Sequence, residues 1–304
     1  MARGVPQLER LEPHVRLVVP VMATGGGNGR STVAGLLADA FALHGETVLL
    51  DTVPRLASPW PGWVATAGEG LAALPPDRPA TRAQARTAAA AAAASGAPWQ
   101  VMTDHLPWHV APLSLPDAPE AWHQLAAIGG WQAVIADTEH RFTQDVMASR
   151  HTGTAGLGAR WCSLPCAVPV LCAGANGEGM AALQTAVMAA EAEGLPLARM
   201  VVAVVAMSEG RLPAPVKAGA TMLQPKVGAI VQVPYDERIR SHGLRDAARL
   251  KPRTLAAGRQ LAEAVLSSAH TSWGEMLPHA AVPAAYTEGT TPRGLAPQAA
   301  DHPR

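Results

Sequence analysis

Lysine is scarce in this 304-residue chain. Lys217, Lys226 and Lys251 are the only ones, and arginine carries the rest of the basic charge. Together with the load of Ala, Gly and Pro, this bias points to a GC-rich bacterial genome, which bears on origin rather than function. Aromatic residues are few and mostly tryptophan. Charge of either sign is not in excess: the formal net charge is zero, so the chain as a whole is not drawn to nucleic acid or membrane, and any such attraction must come from a local patch. Cys162, Cys166 and Cys172 are too few for a closed set of disulfides and lack the paired spacing of a zinc site. They read as idle thiols in a reducing compartment. No stretch is long and apolar enough to span a bilayer, and residues 1–14, polar and carrying Glu9 and Glu12, have no signal-peptide core. The expectation is a soluble, cytoplasmic protein without stable membrane insertion.

What is present is core-forming material. Hydrophobic residues make up 48% of the chain, enough for one large α/β domain over residues 15–269, with an N-terminal tail at 1–14 and a flexible tail at 270–304 rich in Pro, Ala and Thr. Short β-branched runs predict buried strands at 15–22, 47–50, 131–136, 168–172, 200–206 and 229–233. Helical spacing predicts helices at 31–44, 178–193 and 254–269. Residues 56–130 are less regular. Alanine gives 81–95 high helix propensity but little bulk, 99–103 and 108–111 suit short strands, and 118–128 suits a helix. Residues 140–165 read as a loop. Strands alternating with helices in this way predict a mostly parallel sheet covered on both faces, whose ligands sit at the carboxyl ends of its strands.

A glycine-rich loop falls at such an end. Gly25, Gly26, Gly27, Asn28 and Gly29 follow the first strand, and Arg30, Ser31 and Thr32 open the next helix. Small residues let backbone N–H groups turn inward around phosphate oxygens at a helix N-terminus, and a hydroxyl such as that of Ser31 can ligate Mg²⁺. The strict P-loop pattern is broken by Thr24 in place of the first glycine and Arg30 in place of the lysine. Asp51 and Asp137 end two further strands, where carboxylates near Mg²⁺ and its waters are placed; each also suits a plain strand-end cap. His140 follows Asp137, either facing the pocket or lying in the loop. Arg238, Arg240, Arg245, Arg249, Lys251, Arg253 and Arg259 crowd one region, either as a non-specific grip on phosphate backbones or as a solvated face balanced by Asp236, Glu237 and Asp246.

The ordered set resembles the ParA/MinD family of P-loop ATPases. Residues 24–32 are similar to its deviant Walker A loop, 49–54 to its DxDP element, 131–138 to its Walker B strand, and 231–236 to the strand and turn beside the nucleotide base, which brings in Pro234 and Asp236. The resemblance spans roughly 15–269 and is weak across 56–130. It implies ATP or ADP with Mg²⁺ on the loop, Ser31 and Asp137 as metal residues, Asp51 as the surviving catalytic carboxylate, a homodimer or a partner protein, and non-specific DNA binding through the arginines near the C-terminus.

Departures from the family pattern fall on its functional positions. The signature lysine that reaches the partner's nucleotide falls on Gly25. The P-loop lysine falls on Arg30, whose planar fork cannot occupy the point of an ammonium. The second carboxylate falls on Val53, which can neither take a proton nor position water. The adenine-reading asparagine falls on Met207. Electrostatic stabilisation dominates phosphoryl transfer, so hydrolysis is expected to be weak or absent. Three roles follow: a nucleotide-binding switch in DNA partitioning or in positioning a secretion or conjugation machine; a scaffold without nucleotide, with Trp60 and Trp63 as exposed partner contacts; and, ranked last, a metabolic enzyme on the same fold.

Overall fold

The structure, a computed structural model, describes residues 10–75 and 78–283. Nine strands form one sheet: β1 (Leu17–Ala23), β2 (Thr47–Asp51), β3 (Val64–Thr66), β4 (Ala90–Ala92), β5 (Gln100–Met102), β6 (Ala133–Arg141), β7 (Val170–Gly174), β8 (Val201–Val205) and β9 (Ala229–Val233). Their order is β3-β4-β5-β2-β6-β1-β7-β8-β9. From β5 to β9 every pairing is parallel, while β3 and β4 extend the edge antiparallel. Ten α-helices cover it among the described residues: α1 (Arg30–Phe41), α2 (Trp60–Trp63), α3 (Arg82–Ala88), α4 (Pro119–Gly129), α5 (Phe142–Thr152), α6 (Leu157–Ser163), α7 (Gly177–Ala192), α8 (Ala214–Leu223), α9 (Glu237–His242) and α10 (Pro252–Trp273).

The strands are apolar throughout because both faces are covered. Along β1, Leu17, Val19 and Val21 point into one core with Leu36 and Leu37 of α1 and Leu261 and Val265 of α10. Their neighbours turn the other way, Val18 towards Trp122 and Ala126 of α4, and Met22 towards Leu183 and Val187 of α7. This alternation fixes the register, since a slip of one residue would exchange the two cores.

The expected strands and helices are present, with boundaries shifted by a few residues. Four local readings need correction. The alanine-rich segment is helical only over α3, which a capping box at Thr81 and Gln84 starts. Its remainder becomes β4, because Ala90 and Ala91 pair with Val101 and Gln100, and sheet pairing outweighs alanine's helix preference. Residues 108–111 form no strand. The stretch 140–165 is not a loop: it holds α5 and α6, whose junction is tied by Asp145 accepting from the Leu157 and Gly158 amides at 2.9 and 2.7 Å. The fold also runs beyond residue 269. Helix α10 ends at Trp273, and residues beyond it return to the start of the chain, where Ala280 N donates to His14 O at 2.7 Å. The rest of the expected C-terminal tail, from 284, lies outside the described residues, as do residues 1–9 of the N-terminal tail.

Asp39 couples α1 to the antiparallel edge. Its buried carboxylate accepts from the Ser95 amide at 2.7 Å and the Trp99 indole at 3.3 Å, and from the Ser95 hydroxyl. Removing it takes the acceptor from all of these donors. Because Ser95 is exposed, only the Trp99 indole is stranded out of water, and we expect Asp39→Ala to lower stability by about 1–3 kcal/mol in urea unfolding.

Candidate functional site

The loop between β1 and α1 lies at the C-terminal end of the sheet, where β1 is flanked by β6 and β7. Gly27 and Gly29 hold φ values of 74° and 75°, a left-handed conformation that glycine adopts freely. A side chain at Gly29 would also meet Val205 at 2.8 Å, so the loop packs directly on the end of β8. Asn28 Nδ2 donates to the Thr24 hydroxyl at 2.9 Å, which gives the threonine in the first-glycine position a part in closing the loop.

From Gly25 to Thr32, no backbone N–H donates a hydrogen bond within the protein among the described residues. The helix starts at Gly29 with no side-chain cap and has no acidic residue in its first turn. Consecutive free amides at the positive end of a helix form a cradle for an anion. Open space lies where a Cβ would stand at Gly26 and Gly27, so the cradle fits phosphate oxygens.

The acidic side of the site is arranged differently. Asp137 is not at a strand end as expected, because β6 runs on to Arg141; fully buried in mid-strand opposite Asp51, it accepts from Arg30 Nε at 2.9 Å through one oxygen and from the Trp60 indole at 2.8 Å through the other. Arg30 also donates to Glu139 O at 3.0 Å. The guanidinium therefore turns across to β6. The Arg30 cation already balances the Asp137 charge on the side facing α1, so a Mg²⁺ ion beside Ser31 would have to displace it, and the residues as placed do not fit that metal. No group of three or more His, Cys, Asp or Glu residues that could hold a metal occurs among the described residues.

Asp51 is also buried. Ser58 and Thr103 hydroxyls each donate to one of its oxygens at 2.6 Å, and the Val53 amide donates to the other at 3.2 Å. Burial pushes its pKa up to about 7, with the charge of Asp137 adding to the rise and the hydrogen bonds opposing it. Asp51 thus organises the segment running from Asp51 to Trp60. Val53, in the place of the second carboxylate, is buried. His140 is half-buried, its Nε2 has no partner among the described residues, and burial lowers its pKa to about 4, leaving the ring neutral at pH 7.

Asp236 is a helix cap. It accepts from the Arg238 amide at 3.0 Å, the Lys251 amide at 3.0 Å and the Thr254 hydroxyl at 2.7 Å, tying α9 to α10. Burial raises its pKa, but these bonds outweigh that effect and hold it below the usual value. Pro234 precedes it at the end of β9. Beside them a cleft of about 410 Å³ is lined by Met207, Ser208, Glu209, Tyr235, Glu237 and Arg240. Met207 lies two residues beyond Val205, on which Gly29 packs.

Trp60 is only 1% exposed, and Trp63 is half-buried with its ring 5.3 Å from that of Trp60. Neither is the exposed partner contact expected. Ser58, Trp60 and Thr103 were missed as site residues; their one sequence signal is the hydroxyl–Pro–indole run that follows Asp51. The arginine-rich region is partly committed internally: Arg245 donates to Gly62 O, Arg253 to Tyr235 O at 3.1 Å, and Lys251 pairs with Glu209 at 3.5 Å. Arg238, Arg240, Arg249 and Arg259 are exposed. Cys162, Cys166 and Cys172 are free and buried, and burial raises all three thiol pKa values. None of the described helices is long and apolar enough to cross a membrane.

A mostly parallel, doubly covered sheet with an open amide loop after its first strand defines a P-loop architecture. No family model matches the sequence, and no curated protein does. Among solved structures, a ParA family ATPase from Chlorobium tepidum TLS superposes with a TM-score of 0.51 at 12% identity, covering 82% of this chain and 99% of that one. The MinD cell division protein of Aquifex aeolicus gives 0.49 at 14% identity, with 87% and 100% covered. Apo McdA from Cyanthece gives 0.49 at 14%, with 83% and 99% covered. The chain has a ParA/MinD-like P-loop fold.

Two outcomes follow from the carboxylates. Asp51 binds its proton more tightly folded than unfolded, so it penalises the fold progressively as pH rises from about 4 to about 7, at up to about 1.4 kcal/mol per pH unit. Asp51→Asn should therefore raise Tm at pH 8 and leave it nearly unchanged near pH 4. Asp137→Ala strands the buried Trp60 indole, while Arg30, 21% exposed, can turn to water, and we expect a loss of about 1–3 kcal/mol in denaturant unfolding.

Proposed function

We propose that this protein is a nucleotide-binding switch that takes ATP or ADP and hydrolyses ATP weakly or not at all. The observation that carries the reading is the run of backbone amides from Gly25 to Thr32 with no acceptor inside the protein. Gly25, Gly26, Gly27, Asn28 and Gly29, with the first turn of α1 through Ser31 and Thr32, would hold the phosphates. Pro234 and the cleft at Met207 and Tyr235 would take the base, and Asp236 would shape that wall from behind.

Poor hydrolysis is supported by the acidic side. Asp137 is occupied by Arg30 and Trp60, Asp51 is protonated about half the time near pH 7, and Val53 and Gly25 supply neither a carboxylate nor a cation. Phosphoryl transfer depends on charges placed around the γ-phosphate and its metal, and each missing electrostatic contact removes roughly 10²–10³ in rate. A switch of this kind would act through partners, in DNA partitioning or in positioning a secretion or conjugation machine, as a homodimer or with another protein. Exposed Arg238, Arg240 and Arg249 are the residues left to meet a polyanion.

A scaffold that binds a partner without nucleotide is the second reading. It is favoured by Leu56 and Trp108, 73% and 79% exposed, on neighbouring loops joined by the Arg55 Nη2 bond to Val110 O at 2.6 Å.

Titration of labelled ATP separates the two. We expect saturable binding that Gly26→Val, which fills the open space of the cradle, weakens strongly, with folding of the variant checked by circular dichroism. Absence of binding at millimolar nucleotide would leave the scaffold. Phosphate release near the enzyme median of about 10 per second would refute the claim of poor hydrolysis.

A further inference from the structure

A second polar site lies at the opposite end of the sheet. Arg16 sits just before β1, and seven residues at about 3.3 Å each put it roughly 20 Å from the glycine loop. Its side chain is buried, with the residue only 9% exposed. Nη1 makes a long bond of 3.4 Å to Ala281 O, and Nε is buried with no partner among the described residues. Among those residues no carboxylate forms an ion pair with it. An arginine held out of water without a counter-charge is costly, and burial alone lowers its pKa.

The guanidinium borders a cavity of about 230 Å³. His123 of α4, Cys166, Trp273 at the end of α10 and His279 also line it, and no acidic side chain does. A second arginine adds to the positive field. Arg199 lies 5.1 Å over the Trp273 ring, donates to Cys162 O at 2.7 Å, and likewise has a buried Nε with no partner among the described residues. The far wall is the chain beyond α10, held by the His14–Ala280 hydrogen bond, by the bridge of Val15 with His279, and by the His14 and His279 rings at 3.7 Å.

We propose that this cavity is a binding site for a small oxyanion, a carboxylate or phosphate on a compact body, gripped by the guanidinium of Arg16 and flanked by His123 and Trp273. A guanidinium edge matches the paired oxygens of either group. His123 is held neutral by burial and by the Arg16 charge, so one ring nitrogen can donate. At roughly 30 Å³ per water, the volume equals about seven waters, enough for inorganic phosphate or a benzoate-sized acid and too little for a nucleotide. The site is independent of the nucleotide cradle.

Calorimetric titration of the full chain with inorganic phosphate and, separately, with benzoate at fixed ionic strength tests this. We expect at least one probe to saturate a single site, to shift the Trp273 indole signal in NMR spectra, and to bind about ten-fold or more weakly to Arg16→Met. Phosphate alone binding assigns a phosphorylated ligand, and benzoate alone a carboxylate. If Arg16→Met does not fold, His123→Phe fills the cavity from α4 while retaining Arg16, and it should weaken binding similarly. No saturation of either probe up to about 10 mM, or unchanged affinity in the folded variant, would overturn the assignment.

Discussion

Asp137 is a fully buried carboxylate, and the geometry of the glycine-loop end of the sheet is built around its charge. A carboxylate in that position must be neutralised and hydrogen-bonded. Arg30 supplies the charge from the first turn of α1, and Trp60 supplies an indole N–H from the segment after β2. Two elements that are distant in sequence are thereby fixed to the middle of β6. The same pairing withdraws the loop's cation towards the sheet, leaving the free amides as the features that face an incoming anion.

Asp51 completes this arrangement from β2. Thr103 and Ser58 both donate to one of its oxygens, which ties the residue after β5 and the segment leading into Trp60 to the end of β2. In a hydrolytic site these carboxylates would be solvated, charged and free to order metal and water. Burial here turns them into structural groups: one neutralised by arginine, the other by its own proton near neutral pH. The acidic side is thus filled by Arg30, Trp60 and the buried Val53, while the amides of the glycine loop stay open.

The two ends of the sheet solve the problem of buried arginine differently. At the C-terminal end Arg30 meets Asp137. At the N-terminal end Arg16 meets no carboxylate, and the chain beyond α10 closes over it with carbonyls and imidazoles. This contrast marks the second cavity as a place where an anion from outside would complete the charge balance.

Much of this was legible in the sequence. The β-branched runs, the glycine loop, and the strand positions of Asp51 and Asp137 follow from local patterns, because a strand buried on both faces must be apolar and a phosphate loop must be small. Helix propensity misled at residues 90–92, where pairing with β5 decided the outcome. What the sequence by itself determined was the alternation of strands and helices and which residues the loop brings to the sheet's mouth. Tertiary structure alone decided that Trp60 is buried on Asp137, that Asp236 caps α9 and binds α10, and that Arg16 is left without a carboxylate. Hydrogen-bond partners and burial depend on segments well separated along the chain meeting in space, as Trp60 and Asp137 do, and no local pattern encodes that meeting.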